Sequence, residues 1–427
     1  MIEAGKIEEA RRLAQVKPFL KNETSFSGYL TVNKEYESNL FFWFFIANVK
    51  WPTAPLVLWL QGGPGASSMY GLFTENGPYV FKKEKLHRRR YSWSNYFNML
   101  YIDNPVGTGF SFTNSEKGYA TDEMIIGESL HEALRQFLLL FPEMQKNKII
   151  LSGESYAGKY LPSLAYTILR KNETNPVINV YGLFLGNPMM NPEYMLLHYN
   201  EYLYAHGLID EQGKKKFYER EKQILIYIKS LQWDKAEYLF AKTFFEGLGS
   251  TLFIESSGLQ NHYDMSKNKL QTNKYYNKFL NKTTTKNYLH VGERAYNRNN
   301  WKVYNHLKVD IMKSIKPFLE DVLEHYRILI YSGQLDIVCP YYTQEWVFRN
   351  LKWSGSLEYF HAVRKPFYWN QHICGYYKTA KKFTEVMVRN AGHMVPTDRP
   401  QWALGMLRKF VNGDFEHDSS SLMNIYF

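Results

Sequence analysis

The chain has 427 residues, 45% apolar and 17% aromatic, with a formal net charge of +11; that suits one large α/β core carrying an insertion, or two to three domains of roughly 100–200 residues each. No apolar run approaches the ~18–20 residues that cross a bilayer, so a membrane span is not expected. The basic residues are scattered and not interleaved with stacking aromatics, which argues against a nucleic-acid partner, and the one local run, Lys82, Lys83, Lys85, His87, Arg88, Arg89 and Arg90, reads as a solvated loop.

In chain order, residues 3–15 read as a short amphipathic helix. Gly28–Val32 and Asn39–Ile46 read as two strands of a hairpin. Pro55–Leu60 is a short apolar run that breaks into Gln61-Gly62-Gly63-Pro64-Gly65, as a central buried strand does when a functional loop follows it. Met99–Asp103 repeats that pattern before Asn104-Pro105-Val106-Gly107. Residues 122–141 have helical spacing, with Ile125, Ile126, Leu130, Ala133, Leu134, Phe137 and Leu138 on one side. Lys148–Ser152 is a third strand, running into Ser155, and Leu161–Leu169 reads as the helix after it. Val180–Leu185, Arg327–Tyr331 and Glu385–Arg389 continue the strands, and Gln401–Val411 closes the chain as a helix. Strand–helix alternation of this kind implies a mostly parallel sheet covered on both faces. The stretch 192–314 differs, being polar, rich in Lys, Asn and Tyr, and helical in pattern around 211–245. The expected organisation is therefore an α/β core in two parts, 1–191 (with 1–25 an N-terminal extension) and 315–427, with a mainly helical cap insertion at 192–314.

Two cysteines, Cys339 and Cys374, exclude a disulfide-dense scaffold and leave pairing open. Asn22, Asn172 and Asn281 begin Asn-x-Ser/Thr glycosylation acceptors. The opening Met1-Ile2-Glu3-Ala4-Gly5-Lys6 lacks a basic-then-apolar leader, so the expectation is either a cytosolic protein or a sequence that starts after a removed leader.

The segment Gly153-Glu154-Ser155-Tyr156-Ala157 has the small-x-Ser-x-small pattern of a nucleophile elbow, with Ala157 where glycine is usual. A serine hydroxyl is a weak nucleophile and needs a base, a group to orient the base, and donors for an oxyanion. On this type of sheet the partners follow in the order acid, then histidine. Asp336 stands just past a strand in Ser332-Gly333-Gln334-Leu335-Asp336, and His393 lies in the loop after the last strand, in Gly392-His393-Met394-Val395-Pro396. The backbone N–H of Tyr156 and one from the Gly62-Gly63 turn, assigned to Gly63, are the expected oxyanion donors. No HExxH pair, P-loop or zinc-spaced Cys/His cluster is present, and Gly107-x-Gly109 is too short for a dinucleotide site. No cofactor and no metal are expected.

Together these segments resemble the serine carboxypeptidases, from about residue 26 to 412. The resemblance is carried by Trp59-Leu60-Gln61-Gly62-Gly63-Pro64-Gly65-Ala66-Ser67-Ser68, Tyr101–Ser111, Glu154–Tyr160, Gly333–Asp336 and Gly392–Pro396. Gln61, the Ile2–Lys6 phrase and Asn104–Gly109 point to the vitellogenic-like branch. The resemblance implies removal of single C-terminal residues from peptides or proteins, with Trp59, Gln61, Glu75 and Glu154 holding the free carboxylate. Gln61 departs from the family's usual asparagine by one methylene. Tyr70, Thr74 and Met394 are expected around the departing residue. Ala66 stands where the family usually has cysteine, so its disulfides cannot be carried over, and Cys339 matches a normally unpaired cysteine. Two glutamates facing a carboxylate would repel it unless they share a proton, so activity at acidic pH and a lysosomal or secretory setting are expected. A homodimer is a further expectation. Acyl transfer to an alcohol, and a protective or binding role that needs no catalysis, are the alternative readings.

Overall fold

The structure, a computed structural model, describes residues 1–171, 175–245, 249–269 and 274–416. Its strands are β1 (Ser25–Asn33), β2 (Ser38–Phe45), β3 (Leu56–Leu60), β4 (Tyr79–Lys82), β5 (Lys85–Arg88), β6 (Asn98–Ile102), β7 (Ile149–Glu154), β8 (Val180–Gly186), β9 (Arg327–Gly333), β10 (Lys365–Trp369), β11 (His372–Ala380) and β12 (Phe383–Val388). Ten of them form one sheet in the order β1-β2-β6-β3-β7-β8-β9-β12-β11-β10. The run from β6 to β12 is parallel, and antiparallel hairpins close both edges.

The apolar run Leu56–Leu60 shows why the middle strands must be central. Alternate residues face opposite sides, so Leu56, Leu58 and Leu60 enter one apolar cluster while Val57 and Trp59 enter the other. All five are fully buried, and only a sheet covered on both faces can bury such a strand. The helix Glu123–Leu140 covers one face. Asp122 caps it by accepting a hydrogen bond from the Ile125 N–H at 3.0 Å. Ile126, Leu130, Leu134 and Phe137 lie fully buried beneath it, each contributing about 1.5–3 kcal/mol. Ile125, expected on that side, is 43% exposed, because successive helical residues point about 100° apart and Ile126 takes the central place.

Two further corrections concern charge and edges. The basic run is solvated as expected, with Lys82, Lys83, Lys85, His87, Arg88 and Arg90 exposed, but most of it forms the β4–β5 hairpin and not a loop, and Arg89 just after it turns inward and is half-buried. The edge strands β10 and β11 went unread. Their turn is Asn370-Gln371, with φ of 45° and 67°, a left-handed pair that normally announces itself as Asn-Gly.

Between β8 and β9, residues 192–314 form helices among the described residues, including Glu211–Lys229, Trp233–Phe244 and Trp301–Ile311. Short bridges Ala66↔Asn299 and Gly109↔Asn297 pin this segment to the loops that follow β3 and β6. It therefore lies over the carboxyl ends of the parallel strands, where an open α/β sheet places its binding crevice.

Candidate active site

Ser155 sits where β7 turns into the helix Ala157–Arg170. Its φ is 63°, a left-handed conformation that costs about 1–3 kcal/mol for a non-glycine residue. The surroundings hold it there. The Ser155 N–H donates to the Gly186 carbonyl at 3.0 Å, and its own carbonyl accepts from Gly158 and Met189, both at 2.9 Å. Gly62 presses on this turn so closely that a Cβ there would lie 2.4 Å from the Tyr156 nitrogen. Only glycine lets the two loops approach.

Asp336 and His393 follow β9 and β12, which are neighbours in the sheet, and so meet despite a separation of 57 positions in the chain. Asp336 Oδ2 lies 2.7 Å from His393 Nδ1, and both side chains are essentially buried. The carboxylate is held from several sides. Asn187 Nδ2 donates to the same Oδ2 at 2.6 Å, and the Val338 N–H donates to Oδ1 at 2.8 Å. The Tyr202 hydroxyl donates to the Asp336 carbonyl at 2.8 Å. Asn187 was not singled out in the sequence, although it follows β8 as a strand-end polar residue, as Asp336 follows β9. The His393 ring packs on Tyr263 at 5.4 Å between centroids. Its Nε2 is buried with no hydrogen-bond partner, and His393 borders the same cavity as Ser155.

The glycine loop is shaped by Asp103, a fully buried carboxylate at the end of β6. It accepts from the Ser67 hydroxyl at 2.5 Å, the Ser68 N–H at 3.0 Å and the Phe110 N–H at 2.9 Å. Gly63 in that loop has φ 114°. Among the described residues no group accepts from the Gly63 or Tyr156 N–H, so two backbone donors border the cavity uncommitted.

Beside Ser155 lies a relay of buried polar groups. Trp59 Nε1 donates to Gln61 Oε1 at 3.2 Å, and Gln61 Nε2 donates to Glu154 Oε1 at 3.0 Å. Glu154 Oε2 and both Glu75 oxygens have no conventional hydrogen-bond partner. Burial pushes the Glu75 carboxyl up to about 7, opposed by Glu154, Gln61 and the charges of His393 and Arg89. Burial, and then the facing Glu75, hold Glu154 well above the carboxylate range. The pair therefore keeps protons that exposed glutamates would have lost. Arg89 donates to the carbonyls of Gly77 at 3.0 Å, Phe73 at 2.7 Å and Tyr79 at 2.9 Å. It thus grips the turn that carries Glu75, and its charge is felt there.

These groups open on one cavity of about 760 Å³. Gln61, Glu154, Ser155, Tyr156, Gly63, Tyr70, Met394 and His393 border it. Trp59 and Glu75 lie buried behind Gln61 and Glu154. Thr74 does not border it: its hydroxyl donates to the Tyr70 carbonyl at 2.6 Å. Cys339 borders it as a free thiol pushed well up by burial and by Asp336, and Cys374 is also free and buried. Among the described residues no cluster of three His, Cys, Asp or Glu suits a metal ion. No described helix is long and apolar enough to cross a membrane. Asn22 is exposed; Asn281 is exposed but its amide donates to the Asn277 carbonyl at 3.1 Å; Asn172 lies outside the described residues.

A mostly parallel sheet layered by helices, with a serine on a left-handed strand-to-helix turn and an acid–imidazole pair on later loops, defines an α/β-hydrolase. The family model for serine carboxypeptidases matches residues 16–413, and the chain belongs to that family. Among its relatives is a venom serine carboxypeptidase of Apis mellifera, 44% identical over 96% of this chain and 90% of that one. A vitellogenic carboxypeptidase of Aedes aegypti is 39% identical over 97% and 89%. A prohormone-processing carboxypeptidase of Saccharomyces cerevisiae has a solved structure that matches with TM-score 0.81 and 25% identity, covering 95% of this chain and 96% of that one.

Proposed function

We propose that this protein removes single C-terminal residues from peptides or proteins through Ser155, Asp336 and His393, at acidic pH. The observation that carries the reading is the buried His393–Asp336 pair, whose free Nε2 borders one cavity with Ser155 and with the Gln61–Glu154 relay. In this mechanism His393 Nε2 takes the Ser155 proton as Oγ bonds to the scissile carbonyl carbon. The oxyanion that forms is held by the N–H groups of Gly63 and Tyr156. The C–N bond then breaks, and His393 gives its proton to the departing amine. Water, deprotonated by His393, attacks the Ser155 ester, the bond from Oγ to the acyl carbon breaks, and His393 returns the proton to Oγ as the shortened peptide leaves. Asp336 keeps the ring oriented and stabilises its charged form.

The carboxylate relay explains why the enzyme would take only C-terminal residues. A proton kept between Glu75 and Glu154 lets them donate to a substrate carboxylate instead of repelling it. As pH rises through about 7 Glu75 loses its proton while Glu154 still holds one, so one donor is left where two stood and binding weakens. His393 must be neutral to act as a base, so turnover has an opposing requirement at low pH.

The segment 192–314 acts in this reading as a cap on a core built from 1–191 and 315–427. The venom and vitellogenic relatives and the protonated glutamate pair favour the secretory pathway or lysosome as its setting, with Asn22 a suitable glycan acceptor. The test is a phosphonofluoridate serine label mapped by mass spectrometry, together with release of one amino acid from matched free and amidated peptides. Labelling confined to Ser155 and cleavage of the free peptide alone are expected. Equal cleavage of the amidated peptide would rule out the carboxylate relay.

A further inference from the structure

Arg298 stands out among the residues around the cavity. It belongs to the 192–314 segment, yet its backbone is fixed against the glycine loop: its carbonyl accepts from the Ser67 N–H at 3.0 Å, and the neighbouring Asn299 bridges to Ala66. The guanidinium lies against the edge-to-face pair of Tyr70 and Tyr276, 5.1 Å from the Tyr70 centroid and 5.9 Å from that of Tyr276. The other charged groups facing this cavity have partners. Lys308 is 3.6 Å from Asp234, Glu237 accepts from the Tyr304 hydroxyl, Glu154 accepts from Gln61, and His393 pairs with Asp336. Among the described residues Arg298 has no carboxylate within ion-pairing distance, although it borders the cavity.

Arg298 also shares aromatic neighbours with the carboxylate relay. Tyr70 and Tyr263 each lie within electrostatic reach of both Glu154 and Arg298. The same cavity thus offers groups for an α-carboxylate and, near the tyrosines they share, a half-buried planar cation. A guanidinium that rests on aromatic rings and has no carboxylate partner keeps N–H donors free, and these match a carboxylate in a two-point contact. A substrate that spans both carries two carboxylates on one residue.

We propose that Arg298 selects an acidic C-terminal residue, its guanidinium pairing with the side-chain carboxylate of a departing glutamate or aspartate. This rests on the carboxypeptidase reading above. Arg298 then acts in specificity, touching the leaving residue and no bond that breaks. An Arg that merely braced Tyr70 and Tyr276 would influence every substrate alike, and one that bound the α-carboxylate would do the same.

The experiment measures kcat/KM at pH 5.5 on blocked dipeptides with phenylalanine first and glutamate, glutamine or leucine last. At that pH the free side-chain carboxylate is ionised. Expected is a preference for glutamate over its neutral isostere glutamine of roughly tenfold, the scale of one charge-assisted contact. In Arg298→Met that ratio should fall to about one while the leucine rate changes little, and Arg298→Lys should keep part of the preference. Equal rates on glutamate and glutamine in the unaltered enzyme, or an equal loss on all three peptides in Arg298→Met, would overturn the assignment while leaving the carboxypeptidase reading intact. Failure of the unaltered protein to release any C-terminal residue would overturn that reading instead, and this one with it.

Discussion

Behind the Ser155 elbow, three charged side chains meet in the core. Lys159 and Asp310 form an ion pair at 2.6 Å, with 0% and 5% of their side chains exposed. Glu123, in the first turn of the neighbouring helix, lies buried against them, within reach of Tyr156 and Asp310. Burial pushes Glu123 from 4.5 up to about 8, while Lys159 pulls down and Asp310 pushes up. Below pH 4.5 the folded and unfolded chains both carry this proton. Between 4.5 and about 8 only the folded chain keeps it, so stability is lost as pH rises across that window and the loss then saturates. At pH 7, some 2.5 units above the unfolded value, the penalty is about 3 kcal/mol at 1.36 kcal/mol per unit. Glu123→Gln keeps the shape and removes the titration. The variant should match the native protein near pH 4, apart from any constant packing offset, and gain on it steadily up to pH 8. Thermal unfolding of both proteins at one scan rate, at pH 4, 5.5, 7 and 8, reads that divergence as several degrees in Tm. A difference in stability that stays constant across the series would refute the buried-proton reasoning.

Asp310→Ala removes the Lys159 partner and also one push on Glu123, whose carboxyl then moves down and can ionise beside Lys159. Its cost should therefore fall short of the about 3–5 kcal/mol of a stranded buried charge, which Asp310→Ala with Glu123→Gln should show in full by chemical denaturation near pH 6. Asn187→Ala deletes a charge-assisted donor to Asp336, and kcat should drop about 10- to 100-fold with little change in KM. Steady-state kinetics on a blocked dipeptide would show a normal kcat if that contact had no role. KM for peptides with a free C-terminus should rise as pH passes about 7, where Glu75 loses its proton, and a KM that is level from pH 5 to 8 would contradict a role for the Glu75 proton in binding. Ser155→Ala and His393→Ala should each lose about 10⁴–10⁶-fold in kcat, measured with the same peptides and with folding checked by circular dichroism.

Much of this protein is written locally. The five-residue run Leu56–Leu60, the glycines after it and the Ser155 pentamer predict a buried parallel strand, a close-approach loop and an elbow, and each is found in place. Asp336 and His393 were legible for the same reason: each follows an apolar strand, and neighbouring strand ends meet. Where chain periodicity is weak the sequence was silent. The β10–β11 edge has a polar-aromatic texture and a turn without glycine.

What the sequence could not decide is the environment of its charges. Arg89 and its neighbours look alike in a row of basic residues, yet Arg89 alone turns in to hold three carbonyls around Glu75. Lys159 is one more polar residue in a helix until Asp310, 151 positions later, closes over it. Glu154 is the unspecified position of the elbow pattern until Gln61 and Glu75 are folded against it. Hydrophobic period and turn chemistry act over a few residues, so the sequence displays them directly. Desolvation and Coulomb forces depend on what packs around a group from distant parts of the chain, and only the tertiary structure brings those parts together.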